Sequence, residues 1–407
     1  MKTRPLLRAT CTAVFFVATA SQALAADGFK LRFPLSGTLG GEIVAPMPTE
    51  GWFGSVVVTD INVTGVAGGD GNDIKITNPA PFPTLTEAQA TAATDAAIAQ
   101  NSALAGIRTP VINTLKGAGP ASAVGTANLK MNKNHQTLSN VILGRILSKD
   151  VNGGKLVAVV NIPYVLALDT EFKVSGTTPT LSTLSPAYTN ANATLANNVN
   201  AAANQIAQGA FAKGYQEKLA ATSTDASISK SGIGDIEASL LWEKSMDAIK
   251  VVVGATLGMP TGNYKYTAGS LAPNIGYGNY YTLRTGAGVA YAASENLTLG
   301  ARGSLGFNSQ NTDNYVRSGD FYAIDLAAAF KTPVGVIGPH ATVLRQYTDD
   351  TGGAFGGNQV SVTGAGFFYT APLPALSGGV NISYMKTTDT KNSLVGDFVQ
   401  IRFSRLF

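Results

Sequence analysis

The feature that most constrains this sequence is an alternation of apolar and polar side chains with a period of two residues. In residues 297–307, for example, leucine, alanine and phenylalanine alternate with threonine, glycine, arginine and serine. Successive side chains of a β-strand point to opposite faces, so such a run has one apolar face and one polar or small face. The pattern therefore predicts an all-β, antiparallel protein.

Runs of this kind fill the second half of the chain and occur more sparsely in the first. We count nine after Gly232, at 234–242, 248–258, 280–291, 296–307, 320–330, 335–347, 359–370, 379–387 and 397–407. The first half adds Phe29–Leu35, Trp52–Val63 and Leu156–Leu168. Single-chain bacterial barrels have even strand numbers. We therefore predict about twelve strands, within a range of ten to fourteen, the upper value if 73–77 or 140–148 also pairs.

A soluble β-sandwich would show the same alternation, but three features favour a transmembrane β-barrel. The runs have the length that a tilted strand needs to cross a bilayer, about 9–11 residues. The polar face is rich in glycine, serine and single charges, which a water-filled lumen tolerates and the core of a sandwich does not. Aromatic residues stand near the strand ends, as interface girdles require: Tyr280, Tyr281, Tyr291, Phe307, Tyr347 and Tyr384. The terminal Phe407 is the residue type that the barrel assembly machinery reads as its signal.

The first 25 residues have the organisation of an export signal. A basic start with Lys2, Arg4 and Arg8 precedes the apolar run Cys11–Ala20, and small residues end at Ala25. That run is about half the length of a transmembrane helix. We therefore expect residues 1–25 to be a signal peptide cleaved near Ala25, and residues 26–407 to form a barrel in the bacterial cell outer membrane. Outer-membrane lipid is then an expected partner.

Two alanine-rich segments interrupt the β pattern, at residues 84–118 and 190–222. Both predict helices inserted into loops, and 231–407 is left as the most regular part of the barrel. In the first segment, Thr84–Glu87 and Thr86–Gln89 both fit a capping box. The insertions are either solvated loop helices or a plug over the lumen. The absence of a strong apolar face in either favours the first.

Sequence motifs offer little support for chemistry. The run 68–76 matches most of a calcium-binding nonapeptide, with Asp70 and Asp73 as the ligands, but it occurs once and a tight turn explains the same residues. His135 and His340 are isolated, and no nucleophile elbow is present. We therefore predict no enzyme, no cofactor and no metal. Without the three basic residues of the signal the charge is nearly balanced, so we expect no nucleic-acid partner.

The alternation also assigns side chains to the barrel interior. If Ile236, Leu297 and Val399 face lipid, the opposite face carries Asp235, Glu237, Arg284, Arg302, Asp325, Gln400 and Arg402. A charge facing lipid at mid-depth costs about 2–4 kcal/mol, which favours the inward assignment. Three arginines and three acids in one lumen predict a narrow, weakly conducting path. Whether they serve a ligand or only one another is left open.

Five short runs carry a resemblance to a known family. They are Gly232–Ile236, Gly258–Tyr264, Ser318–Phe321, Gln346–Gly352 and Gly396–Phe398 with the closing Phe403 and Phe407. In order and spacing they resemble the outer-membrane transporters associated with the meta-pathway of phenol degradation, over about residues 231–407. The resemblance implies an outer-membrane barrel that admits small hydrophobic compounds, with aromatic ones as candidates, and no catalytic residues. Two alternatives remain: a non-transporting barrel that displays its loops as an adhesin or structural element, and a lipid-acting barrel enzyme.

Overall fold

Fourteen antiparallel strands form a single sheet in the described part of the chain. The computed structural model describes residues 51–71, 75–81, 85–117, 122–184, 188–267, 272–352 and 359–407. The strands are β1 (Trp52–Ala67), β2 (Lys75–Pro81), β3 (Ser122–Val151), β4 (Gly154–Gly176), β5 (Ile228–Ile233), β6 (Glu237–Met246), β7 (Ile249–Gly258), β8 (Thr282–Ser294), β9 (Leu297–Asn308), β10 (Phe321–Thr332), β11 (Gly335–Gln346), β12 (Ser361–Leu373), β13 (Gly378–Lys391) and β14 (Ser393–Leu406).

Twelve of these strands close into a barrel. From β6 to β14 each strand pairs with the next, while β1 pairs with both β14 and β3, β3 pairs with β4, and β4 pairs with β6. The two extra strands, β2 and β5, pair only with β3 and β4 respectively. The predicted fold, an antiparallel barrel of about twelve strands with helical insertions, is confirmed.

The chain divides into two compact units. Of the described residues, the barrel unit contains 51–71, 130–173 and 224–407, and the helical unit contains 75–129 and 174–223. Each unit is described on its own below.

The connections at the two ends of the barrel unit differ in length. At one end the hairpins are tight, and β3 joins β4 through Asn152 and Gly153 alone. Both residues have positive φ, 54° and 71°, as expected for an Asn-Gly type I′ turn. At the other end most connections are longer, for example residues 259–281 and 309–320, although β13 and β14 are joined there through Asn392 alone. The first end is called the short-turn end and the second the long-loop end.

The alternation of the sequence separates the two faces of the barrel wall. Large apolar side chains on one face remain between 43% and 52% exposed, among them Leu240, Val253, Leu299 and Leu326. Their immediate neighbours on the other face are buried, such as Asp325 and Ala327 beside Leu326. Apolar side chains on the outer face and polar ones inside are the arrangement of a barrel that lipid surrounds.

The helical unit holds the helices predicted for 84–118. Helix α1 (Glu87–Gln100) leads through a 3₁₀ turn (Ser102–Ile107) into α2 (Arg108–Gly117). Thr86 is the N-cap of α1: its side chain accepts from the Gln89 amide, and the Gln89 side chain accepts from the Thr86 amide. Of the two capping boxes that the sequence allows, the second is therefore present. The helices are joined by ion pairs of Asp95 with Arg108 and of Glu87 with Lys116.

The second insertion is one long helix, α3 (Ala193–Ala226). It buries a stripe that repeats every fourth residue, at Val199, Ala203, Ala207, Phe211, Tyr215 and Leu219. Most of these residues are small or have polar neighbours, so the buried face of this helix cannot be recognised from the sequence pattern. No helix in the described ranges has the length and apolar character that a membrane-spanning helix needs.

A row of side-chain amides on α3 holds the segment 176–184 and Tyr188. Asn204 accepts a hydrogen bond from the Leu184 amide at 2.9 Å. Gln208 accepts from the Leu181 amide at 2.7 Å and donates to the Pro179 carbonyl at 3.2 Å. Asn200 and Gln216 bind the same segment at Tyr188 and Gly176. The side-chain amides thus satisfy main-chain groups that a neighbouring strand would otherwise bind.

Four sequence-based expectations need correction or fall outside the described residues. His135, isolated in the sequence, belongs to β3, where its Nε2 lies 2.8 Å from Asp60 Oδ2. Tyr280 is only 2% exposed and is wrong as a girdle residue, because it belongs to the loop before β8 and not to the outer face. The predicted strand Phe29–Leu35 and the signal peptide lie outside the described residues.

Candidate functional site

The first part of the candidate site is a polar chain across four strands of the inner face. Arg284 on β8 and Glu237 on β6 form an ion pair at 2.7 Å, and both side chains are mostly buried. Asn161 on β4 donates to Glu237 Oε2 at 3.3 Å, and Asn140 on β3 donates to Asn161 at 3.0 Å. The structure therefore brings Glu237 and Arg284 together, in a network with two asparagines that the sequence analysis did not select.

The second part is the pair Arg302 and Asp325. They lie directly opposite each other in the register of β9 and β10. The guanidinium donates from Nε and Nη2 to the same oxygen, Asp325 Oδ2, at 3.0 and 2.8 Å. The Asp325 side chain is 3% exposed and that of Arg302 26%. The buried Asp325 carboxylate is thus neutralised by Arg302, whose side chain remains partly exposed.

The other predicted inward residues occupy separate positions. Gln400 on β14 donates to the Thr59 hydroxyl on β1 at 3.0 Å, and both are buried. Arg402, two residues further along β14, is partly buried. Asp235 lies in the short connection between β5 and β6 and not in a strand. Its carboxylate accepts from the amides of Gly262 and Tyr277, at 2.8 and 2.9 Å.

Two charged residues missed by the sequence analysis also pair inside the barrel wall. Lys250 on β7 lies 3.2 Å from Glu243 on β6, whose side chain is only 4% exposed. Glu243 lies an even number of residues from Glu237, so alternation places both on the same face of β6. The sequence alone could therefore have identified Glu243 as an inward residue. Lys250 is harder to assign because it stands near the short-turn end of an otherwise valine-rich strand.

An apolar wall adjoins these ion pairs on the inner face of β10–β12. Phe321, Ala323 and Leu344 form one buried cluster with Val360. Ala327, Ala329 and Phe368 form a second. The inner face therefore carries charges held in ion pairs and, on either side of Asp325 along β10, two buried clusters of small and aromatic side chains. A path with both features accepts solutes that are mostly apolar.

The short runs that carry the family resemblance fix the connections at the long-loop end. Asp350, in the run 346–352, accepts from the Gly319 amide of the run 318–321 at 2.8 Å and also from the Gln346 side chain. Asp320 accepts from Arg317 at 2.8 Å. The carboxylates of Asp350 and Asp235 thus tie neighbouring connections together, whereas Asp320 and Arg317 pair within one connection. Their role here is positional.

Burial dominates the acidity of one of these carboxylates. It raises the pKa of Asp350 above the ordinary value, although hydrogen bonds from Gly319 and Gln346 act against it, and the nearby charge of Asp349 adds to the rise. The hydrogen bonds from Gly319 and Gln346 thus offset part of the cost of burying this carboxyl group.

The suspected calcium motif starts in a tight turn. The Gly71 amide donates to the Gly68 carbonyl at 3.0 Å, and Gly71 has φ of 81°. Asp73 falls outside the described residues, so the pairing of Asp70 with Asp73 is not tested. The part of the chain that the structure describes contains no group of three or more histidine, cysteine or acidic residues arranged for a metal ion.

A closed antiparallel barrel with an apolar outer face and paired charges inside belongs to the class of outer-membrane β-barrels. Within that class, the chain belongs to the family described as "Putative MetA-pathway of phenol degradation", which matches residues 113–403. The match extends further towards the N-terminus than the five short runs, and it includes β3, β4 and α3. No curated protein sequence matches the chain.

Three solved structures are similar to this chain to different degrees. An outer-membrane channel from Pseudomonas putida F1 has a TM-score of 0.53 at 10% identity, over 89% of this chain and 97% of that one. The CymD monoaromatic hydrocarbon channel has a TM-score of 0.36 at 10% identity, over 94% and 97%. The Pseudomonas putida toluene transporter TodX has 0.31 at 10% identity, over 94% and 95%. The similarity to the Pseudomonas putida F1 channel, with a TM-score above 0.5, shows the fold of this chain.

Proposed function

We propose that the protein is an outer-membrane channel for the uptake of small hydrophobic compounds, aromatic ones among them. The observation that carries the proposal is the inner face of the barrel, where charges held in ion pairs lie beside apolar clusters. The clusters around Phe321 and Phe368 make this part of the interior apolar, which favours an apolar solute over a hydrated ion. Charges of both signs are already paired there, so they contribute little net field along a path for ions. Membership of a family described by phenol degradation supports aromatic cargo, and we expect no enzymatic activity.

The width of the path is the first point to test. A barrel of twelve strands lies between the side-chain-filled eight-stranded barrels and the open sixteen-stranded porins. The ion pairs of Arg284 with Glu237 and of Arg302 with Asp325 occupy part of that interior. Planar-bilayer recordings of the purified barrel should therefore show small conductance. Large, unselective open channels would contradict the proposal.

The second test is uptake by whole cells. Cells of a porin-deficient host that express the barrel should accumulate a hydrophobic aromatic tracer faster than cells with the empty vector. A hydrophilic sugar of similar size should enter equally slowly in both. Equal tracer uptake with and without the barrel, at confirmed surface assembly, would favour the alternative of a non-transporting barrel.

We further propose that the chain is exported by its signal peptide, with cleavage near Ala25, and that Phe407 is its assembly signal. Phe407 is 69% exposed, and its amide donates to the Trp52 carbonyl at 2.9 Å. Phe407→Ser keeps that main-chain bond and removes the ring, so it should lower the yield of folded barrel. Leu406→Ser at the neighbouring exposed position is the control, with a smaller expected loss. Sequencing the N-terminus of the assembled protein tests the cleavage site.

A further inference from the structure

Two arginines stand over aromatic rings where β1 begins and β14 ends. The Arg145 guanidinium on β3 lies 5.2 Å from the centre of the Trp52 ring, and that of Arg405 on β14 lies 5.5 Å from the centre of the Phe407 ring. Trp52 is 48% exposed and Phe407 69%, and both arginines are exposed. A guanidinium is attracted to the face of an aromatic ring. The rings therefore hold the two cations in place while leaving them accessible.

The two pairs belong to one patch around the first residues of β1. In the register, Trp52 is opposite Arg145 on β3, and Gly54 is opposite Arg405 on β14. A side chain at Gly54 would lie 3.1 Å from the Phe407 ring, so this ring occupies the space beside the glycine. Neighbouring strands lie about 4.8 Å apart, which places two residues on either side of β1 about 10 Å apart across it. Two long side chains at that separation can reach the same lipid headgroup.

The patch lies on the outer face of the barrel, at the level of the membrane surface. Val56 and Val58 continue the face of β1 that carries Trp52, and they are 47% and 39% exposed. Tryptophan is enriched where hydrocarbon meets the headgroups, and arginine extends its charge to the same level. Short turns of outer-membrane barrels face the periplasm. The patch is at the short-turn end, so the adjoining leaflet is the periplasmic one, which consists of phospholipids.

The charge of the patch is positive. In the described part of the barrel, neither Arg145 nor Arg405 forms an ion pair with a carboxylate. The neighbouring residues on the same face are apolar: Leu143 on β3 is opposite Gly54, and Phe403 on β14 follows Arg405 at a distance of two residues. Two cations beside an apolar surface complement a ligand that has a negative headgroup and acyl chains.

We propose that this patch binds the headgroup of an anionic phospholipid of the periplasmic leaflet. The guanidinium groups of Arg145 and Arg405 donate to the phosphate oxygens, while Trp52 and Phe407 contact the glycerol and the upper part of the acyl chains. A zwitterionic lipid brings its own cation next to the arginines and therefore binds less well. Because Arg405 belongs to β14 and Arg145 to β3, a lipid held by both also joins the strands on either side of β1.

Tryptophan fluorescence tests the site, because the chain has only two tryptophans. In Trp242→Phe, Trp52 is the only reporter. This variant is reconstituted in phosphatidylcholine vesicles with increasing fractions of brominated phosphatidylglycerol or brominated phosphatidylcholine, whose bromine atoms quench a nearby indole. We expect phosphatidylglycerol to quench Trp52 at a lower fraction. In Trp52→Phe, where Trp242 reports from outside the patch, both lipids should quench equally.

Substitution of the arginines in the Trp242→Phe background identifies the groups responsible. Arg145→Gln and Arg405→Gln should each lower the relative affinity for phosphatidylglycerol about fivefold, and the double variant should show no preference. Lys331→Gln is the control, because Lys331 is an exposed cation at the short-turn end of β10, outside the patch. It should keep the preference. Heat-modifiable gel migration confirms that each variant is folded.

Three results would overturn the proposal. The first is equal quenching of Trp52 by the two brominated lipids, and the second is a preference for phosphatidylglycerol that survives the double variant. The third is loss of the preference when inorganic phosphate replaces chloride at constant ionic strength, which would identify a site for free phosphate. The assay contains no transported solute, so its outcome is independent of the proposed channel.

Discussion

His340 on β11 donates from Nε2 to the main-chain carbonyl oxygen of Tyr384 on β13, at 2.9 Å, although β12 lies between the two strands. The imidazole crosses β12 above Gly366, which is its partner in the register. A Cβ at Gly366 would lie 2.6 Å from His340 Nε2 and would overlap the Tyr384 carbonyl. The lack of a side chain at residue 366 therefore permits a hydrogen bond that joins three strands.

Gly366→Ala should consequently destabilise the barrel strongly, because neither the main-chain oxygen nor the buried imidazole can move away without loss of a hydrogen bond. We expect a lower unfolding temperature by heat-modifiable gel migration, or failure to assemble. Gly303→Ala is the matched control: Gly303 is also a strand glycine, but nothing lies within 4 Å of the place that an added Cβ would take. Equal stability of the two variants would refute the steric explanation.

Arg302→Ala should destabilise the barrel by about 3–5 kcal/mol, because it leaves the buried Asp325 carboxylate without its cation. Denaturant unfolding in detergent measures the change in free energy. Arg405→Ala removes an exposed arginine whose guanidinium lies 5.5 Å from the Phe407 ring centre, and it should change stability little. If Arg302→Ala keeps wild-type stability but alters tracer uptake, the arginine acts on the ligand and is not structural.

Asp350 should make the stability of the protein depend on pH. Its pKa is raised by burial, so the folded state binds this proton more tightly than the unfolded chain. Its contribution is most favourable below the ordinary carboxyl pKa and declines as the pH rises through the raised value. Asp350→Asn should therefore gain stability relative to the wild type as the pH rises from about 3 to about 7. Thermal unfolding across this range measures the difference.

A difference between Asp350→Asn and the wild type that stays constant with pH would show that the Asp350 carboxyl is not perturbed. Asp349→Asn is the comparison at the exposed neighbouring residue. It removes only one of the lesser causes of the raised Asp350 pKa, so it should change the pH dependence in part.

Gln208→Leu should release part of the segment 176–184 from α3. Leucine has a similar size but cannot form hydrogen bonds with the Leu181 amide or the Pro179 carbonyl. We expect faster cleavage by a protease between residues 176 and 184 and an unchanged barrel. Lys213→Leu, at a highly exposed position of the same helix, should leave the cleavage rate as it is. Unchanged cleavage in Gln208→Leu would mean that other contacts hold the segment.

The sequence predicts the regular part of the barrel well because one face of each strand is apolar without interruption. All nine strands predicted after Gly232 correspond to β6–β14. Strand β3 was recognised only at 140–148, since its first half carries lysine, asparagine and histidine in place of alternating apolar residues. The twelve strands of the described barrel include β3, which the expected twelve did not, and the predicted strand Phe29–Leu35 lies outside the described residues.

The sequence predicts which residues belong to the candidate site better than it predicts which of them pair. Strand parity selects Glu237, Arg284, Arg302 and Asp325 as a set, but the partners depend on register, which alternation alone leaves open. Asp235 shows a second limit: its parity matches Glu237, but the strand begins only after it. His340 carries no signal in the sequence, because its hydrogen bond to the Tyr384 carbonyl depends on the absence of a side chain at Gly366 on β12.

The pairing of β1 with β14 brings together residues as far apart as Phe53 and Leu406. From β6 to β14, by contrast, each strand pairs with its successor in the chain. Hairpins between successive strands can form before the rest of the barrel is in place. The pairing of β1 with β14 closes a loop of more than three hundred residues, and the entropy cost of that closure delays it. We therefore expect this seam to close last, which leaves two sheet edges with unpaired main-chain groups that any assembly factor has to protect until they meet.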